Sequence, residues 1–440
     1  MKLLPLLTAA VFMTTAIQAA DQTVPGAGNA LAEQTAAKSA LVQSAKQALL
    51  QRARAIQSPD VRNITLDAIG NPATCIAHRI GVDDTKKNAI VQSLVNAGLI
   101  NPADAAGITG GMKAGVFPPV RNEGTSCPQL PMSFDASPGS AFGGHHSYPG
   151  GLPVHEANNG ESFMNFANLY RGSYGTTGTG GVAVYGVVSG NTNGNGDGDN
   201  GDQDSTTLTG LLRQDLVLTA PLWHDWAKPM VFQWNADGSE FTELNFGGNG
   251  TTDAWGAAGD SRTGGHHMLS IAEAMKRGLS PEFVITQASA HSAPTSGNEY
   301  KVVNWIRAAA IIAQMDPVAT DYLVLDSQNH LRLPPLRALG NGVDLNANGQ
   351  TNLLTEYTLH NLSDSDFNQS GPAVSEVQVM LAAIAPSFGY NPSDTANYNN
   401  KFRNVVLANL SAERLLMIYG NSGLAGVTAE VQKLKRLGII

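Results

Sequence analysis

Charge is scarce in this 440-residue chain: Asp, Glu, Lys and Arg together make up 14%, and the formal net charge is -9. Without an excess of positive charge, non-specific capture of nucleic acid or of an anionic membrane is disfavoured, although a local basic or metal-centred pocket can still hold a phosphate. Long apolar runs are also missing. Beyond residue 20 no stretch approaches ~20 consecutive apolar residues, so no membrane span is expected in the mature chain. Cysteine is limited to Cys75 and Cys127, enough for one disulfide in an oxidising compartment or for two separate buried thiols. No internal repeat is visible. Hydrophobic residues nevertheless reach 42%, which disfavours bulk disorder and suits a globular protein with a large core.

The first twenty residues read as a secretory leader: Lys2 is basic, residues 3–17 are largely apolar, and the small Ala19 and Ala20 precede Asp21. The expected location is therefore periplasmic or secreted. Residues 31–54 lack both Gly and Pro and are rich in helix formers, which predicts one helix. A second helix is expected over 84–99, and the Gly/Pro-rich passage 107–119 reads as a connection into the next lobe. Further helical patterns fall at 161–169, 208–226, 267–277, 301–315 and beyond Val374, with two short helices over 411–440 broken by Gly420 to Gly426. The run NTNGNGDGDNGDQD at 191–204 cannot build a core and reads as a loop. Its oxygen ligands, like those of Asp344, Asn346, Asn348 and Asn352, offer possible calcium sites. The second run has Thr355 rather than an acid at its twelfth position, with Glu356 one place late.

Seven of the ten histidines lie between Gly143 and Asp316: His145, His146, His155, His224, His266, His267 and His291. In LVLTAPLWHDWAKP, His224 and Asp225 end an apolar segment, so a buried imidazole and carboxylate must find partners. A metal or an ordinary His–Asp hydrogen bond would serve. In GGHHSYPGGLPVHEA, His155 follows a glycine and proline turn near a helix start. On 301–315, Val302, Trp305, Ile306, Ala309, Ile312 and Ala313 recur at helical spacing and Asp316 continues the stripe. A core-facing aspartate calls for pairing or a cation, unless it merely ends the helix before Pro317.

The order His155, His224-Asp225, His266 or His267, His291, Asp316 resembles the ligand series of HD-domain metal-dependent phosphohydrolases. HHSYPGGLPVHE is similar to a HHxYxGGLxxH opening, and HDWAK to HDxxK; the resemblance covers roughly 130–325. It implies an all-α fold with an HD-domain-like helical core, glycine-rich loop insertions and additional N- and C-terminal helical segments. The corresponding division is 1–20 leader, 21–118 N-terminal helical region, 119–330 metal-binding domain and 331–440 C-terminal, mainly helical region. The resemblance further implies one or two divalent transition metal ions (Fe, Mn or Zn), bridged by Asp225, and water activated for attack on phosphorus. His224, Asp225 and Lys228 then become the catalytic residues, with His145, His146 and Lys228 contacting substrate. The GHxxxS spacing to Ser270 favours His266 as the ligand, whereas helical phase with Ile271 and Met275 favours His267. Pro221 and the two long insertions depart from the family pattern.

The leading expectation is hydrolysis of a small phosphate ester or nucleotide, with no stable nucleic-acid partner. The same ligands in the same fold also suit a di-iron oxygenase. A secreted, non-catalytic binding protein stabilised by metal is the third reading, and closed coordination would mark it. His330 and His360 lie outside the motif-bearing region and are expected to be dispensable.

Overall fold

The structure, a computed structural model, describes residues 25–186, 212–248, 261–294, 298–334 and 355–440. Residues 1–20, the loop at 191–204 and Asp344, Asn346, Asn348 and Asn352 lie outside the described residues. Among the described residues the chain is all-α. The helices are α1 Asn29–Lys38, α2 Ala40–Arg54, α3 Pro59–Gly70, α4 Asp84–Asn96, α5 Gly111–Val116, α6 Gly151–Gly175, α7 Gln214–Thr219 and α8 Lys228–Val231. They continue with α9 Gly265–Lys276, α10 Pro281–Ala288, α11 Glu299–Ala313, α12 Thr355–Ser363, α13 Phe367–Phe388, α14 Thr395–Tyr398, α15 Asn404–Leu410 and α16 Ala412–Arg436. Strand is confined to two antiparallel ladders, β1 Asn245–Phe246 with β2 Thr263–Gly264 and β3 Val324–Leu325 with β4 Leu331–Arg332. No described helix is long and apolar enough to cross a membrane.

Two expected helices are interrupted, each for a local reason. The helix foreseen over 31–54 divides at Ser39, whose Oγ accepts from the Val42 amide at 3.1 Å and donates to the Ala408 carbonyl at 2.6 Å. A serine that caps one helix and ties it to a distant one ends the helix before it. The foreseen helix over 208–226 is described only as α7 and a 3-10 turn, Ala220–Leu222, containing Pro221. Proline has no amide to donate in a helix interior, and residues 223–227 follow as successive turns.

Those turns are anchored by tryptophan. Trp223 and Trp226 are fully buried, and their indole N–H groups donate to Thr65 Oγ1 at 3.0 Å and the Ala68 carbonyl at 2.9 Å, both on α3. Truncating a buried side chain of this size costs roughly 3–5 kcal/mol. The pair therefore holds the intervening His224 and Asp225 in one position.

The main core runs from Leu49 on α2 to Leu359 on α12 and includes the inner faces of α9, α10 and α11. A second cluster joins α13, α15 and α16 and takes in Tyr148 from the HHSYPGG turn. Helix α16 breaks at Gly423 (φ 60°, ψ -166°), within the glycine-bearing stretch where the sequence predicts a break. Cys75 and Cys127 form a disulfide. It fastens the segment after α3, whose Cys75 carbonyl accepts from Arg277 Nη2 at 2.8 Å just past the end of α9.

Candidate metal centre

Glycine lets the His155 segment approach closely. Gly150 sits at φ 87°, and a Cβ there would meet the Val42 side chain at 2.3 Å; one on Gly151 would lie 1.7 Å from the His146 carbonyl oxygen. With both absent, α6 starts against the HHSYP turn and His155 is buried on its first turns. His266 opens α9, where Glu243 accepts from both its amide (2.5 Å) and its Nδ1 (2.6 Å). His291 follows α10, with Nδ1 2.7 Å from Thr263 Oγ1. Asp364 stands immediately after α12.

These elements converge on Asp225. Its Oδ2 lies 3.3 Å from His155 Nε2 and 3.2 Å from His224 Nε2, and Asp364 Oδ1 meets the same two nitrogens at 3.1 and 3.2 Å. The other Asp225 oxygen, Oδ1, lies 3.0 Å from His266 Nε2 and 3.9 Å from His291 Nε2. One carboxylate thus faces two sets of imidazoles. Lys228 Nζ contacts both Asp225 Oδ2 and the Gly139 carbonyl.

All four rings present Nε2 inward, and three of them have a hydrogen-bonded outer partner at Nδ1: the Pro221 carbonyl for His224, Glu243 for His266 and Thr263 for His291. Outer partners of this kind fix the tautomer and aim of metal-ligating histidines. His155 Nδ1 approaches Asp366 Oδ1 at 3.1 Å without hydrogen-bond geometry. Both Asp225 oxygens, His224 Nε2 and His266 Nε2 are buried without a hydrogen bond despite neighbours near 3 Å. Close approach without hydrogen-bond geometry is expected of groups arranged around a shared cation. His155, His224 and Asp364 form one set able to hold a metal ion, and Asp225, His266 and His291 another. Imidazole and carboxylate together suit borderline divalent ions such as Fe, Mn or Zn.

The electrostatics point the same way. Burial opposes charge on His155, His224 and His266, but the surrounding carboxylates outweigh it and raise all three above the ordinary histidine value, the first two strongly. Burial likewise opposes ionisation of Asp225 and Asp364, yet the imidazoles, joined by Lys228 at Asp225, hold both well below the carboxylate range. The site is a buried anionic focus that protons or a cation must neutralise.

The structure brings together His155, His224, Asp225, Lys228, His266 and His291, and it leaves two other expected ligands out of both sets. Asp316 is corrected: α11 ends at Ala313, Gln314 is left-handed (φ 54°), and Asp316 is exposed with Oδ1 accepting from the Val318 and Ala319 amides at 2.9 and 3.1 Å. It caps a turn. His267 is corrected as well: its core-facing phase leads it into a stack on His291 (3.9 Å, 8°) against Trp305, and it joins neither set. Of the substrate candidates, His145 lines the cavity described below, whereas His146 is buried with Nε2 3.0 Å from Asp366. Glu356 is buried on α12 and accepts from the Arg213 amide at 2.7 Å, so it is used in the core.

Sequence reasoning missed Asp364, Asp366, Glu243, Glu156 and the proximity of His360. Glu156 is fully buried, with Oε2 3.4 Å from His224 Nδ1. His360 is fully buried too, 5.4 Å from the His224 ring, with Nδ1 2.6 Å from the Thr286 carbonyl; burial lowers its pKa to about 3. It is not the remote residue its sequence position suggests. A usable signal was HNLSDSD, which places His360 and Asp364 four apart on one helical face.

The centre opens into a cavity of about 560 Å³ lined by Asp225, His266, His291 and Asp364 and also by Lys228, Arg262, Lys301, Phe232, Trp305 and Phe367. Comparison with family models, with curated proteins and with solved structures finds no match to this chain.

Proposed function

We propose that this chain is an exported metal-dependent phosphohydrolase of the HD type, acting on a phosphomonoester or phosphodiester small enough for the cavity. The observation that carries the reading is the placement of Asp225, whose two oxygens face separate imidazole sets at the floor of an open, cation-bearing cavity. His155, His224, Asp364 and Asp225 Oδ2 would hold one ion, and His266, His291 and Asp225 Oδ1 a second. Divalent ions bound there would supply an acidified water and neutralise charge on phosphoryl oxygens.

The chain's own groups do the rest. Lys228 braces Asp225 and lines the cavity, where its ammonium can meet an anionic oxygen. Burial, followed by Lys228, His155 and His146, holds His145 well below the usual histidine value. His145 therefore meets substrate as a neutral hydrogen-bonding ring. Arg262 and Lys301 add positive charge along the lining, and Phe232, Trp305 and Phe367 supply apolar wall. An open cavity beside the ligands supports a catalytic metal over a closed structural one. The Cys75–Cys127 disulfide supports an oxidising, exported location.

The test is to strip the protein with chelator, reload it with Mn, Fe or Zn, and assay a broad panel of phosphate esters. Metal-dependent turnover of at least one ester is expected. Stoichiometric metal with no turnover of any ester would overturn the reading, and substrate-dependent oxygen uptake by the aerobic iron form would replace it with an oxygenase.

A further inference from the structure

His155 is a ring with polar company on both edges. Its Nε2 belongs to the Asp225 and Asp364 group, while its Nδ1 faces outward, 3.1 Å from Asp366 Oδ1. On that outer side, His145, His146 and His155 offer ligand atoms within 4.8 Å of one another. The HHSYP turn and the first turns of α6 bring them together. His146 is placed by a left-handed backbone (φ 49°) and by its amide, which donates to Ser370 Oγ at 3.1 Å.

The donors point into this spot unsatisfied. His145 Nδ1, His155 Nδ1 and Asp366 Oδ1 are all buried without a hydrogen-bond partner among the described residues. The remaining contacts are complete: Asp366 Oδ2 accepts from Asn158 Nδ2 at 2.9 Å and meets His146 Nε2 at 3.0 Å. His146 Nδ1 lies 3.4 Å from the Tyr148 hydroxyl and 3.5 Å from Glu413 Oε1. His146 thus repeats the arrangement of the inner ligands, with Nδ1 tied outward and Nε2 turned in. An ordinary His146–Asp366–His155 hydrogen-bond chain would leave no reason for His145 Nδ1 to be buried bare, nor for the His155–Asp366 approach to miss hydrogen-bond geometry.

We infer that the chain holds a further divalent cation, of the zinc class, among His145, His146 and His155 Nδ1, with Asp366 beside the last two. Three imidazoles, with a water in the fourth position, are a donor set such an ion accepts in four-coordinate form. His155 then spans two ions, and binding of the outer one releases its ring proton to solvent. Because His145 lines the cavity, the ion adds positive charge to the wall beside the inner centre. The inference shares His155 with the proposed function and assumes two ions there, but it concerns metal content rather than turnover.

The test is the zinc content per chain of full-length protein stripped, reloaded with zinc and desalted. The native chain should hold three equivalents, and His145→Ala and His146→Asn two each. Asparagine suits the second position because it tolerates a left-handed backbone. Thermal melts identify any variant that has not folded, and the other variant then decides. Two equivalents in the native chain, or three retained in the folded variants, overturns the inference and leaves the proposed function standing. Loss of two or more equivalents in a variant also overturns it, since these rings would then be supporting the inner centre. A native chain that binds no zinc overturns both.

Discussion

Asp316 and Asp364 are two aspartates that each follow a helix, and only one reaches the centre. Asp316 comes after a left-handed residue that turns the chain outward, so its carboxylate caps an exposed turn. Asp364 follows α12 with no such turn. It is buried, held by Asn159 Nδ2 at 3.1 Å, and set against His155 and His224. A carboxylate at a helix end is placed by the backbone of one or two residues, which an apolar stripe upstream does not specify.

The comparison can be broken in order of expected effect. Asp225→Ala removes the group common to both imidazole sets and should abolish retention of both inner ions, read as metal content after desalting. Asp364→Asn should lose one inner ion and most metal-dependent turnover; retention of full metal content would remove Asp364 from the ligand set.

Smaller effects come from the supports. Reducing the Cys75–Cys127 bridge, which spans a sequence separation of 52, should lower stability by about 2–4 kcal/mol, visible as a shifted denaturation midpoint. At the far end of α9 from His266, Glu273 accepts from the Ala77 and His78 amides and pairs with Arg277 Nε at 2.7 Å. Burial opposes its charge, but the His78 ring, whose Nδ1 lies 2.7 Å from Oε2, followed by Arg277 and the Ala77 amide, lowers its pKa from 4.5 to about 2. Burial keeps His78 below the usual histidine value, against the pull of Glu273. Since the folded value of Glu273 lies below the unfolded one, the stabilisation is complete above about pH 4.5 and is lost as pH falls towards 2. It amounts to at most about 3 kcal/mol. Glu273→Gln should flatten the pH dependence of stability in that window; an unchanged slope would contradict the assignment. The smallest effect belongs to Asp316→Asn, which should leave metal content intact and change stability by no more than about 0.5 kcal/mol.

Much of the candidate centre was legible because its residues sit in short motifs with strong local constraints. GGL needs glycine where α6 meets the turn, and WHDW brackets its polar pair with two indoles that must be buried. The all-α class was what the family resemblance implied, and the helical patterns along the chain agreed with it. His267 was ambiguous because a core-facing phase and a ligand position look alike in sequence, and here the phase leads to stacking on His291. Asp364 and Asp366 were hidden by distance: they follow the dyad by about 140 residues, in a region read as an appendage, and only the packing of α12 on α6 brings them in. His360 was dismissed for the same reason. Glu243 carries no motif of its own, since its role depends on β1 pairing with β2 just before α9.

The most direct test of the account is the position of anomalous scattering in crystals of the metal-loaded protein. The account predicts two peaks flanking the Asp225 carboxylate, one among His155, His224 and Asp364 and the other beside His266 and His291. A loaded crystal with no peak at Asp225, or with a peak coordinated by Asp316, would contradict it.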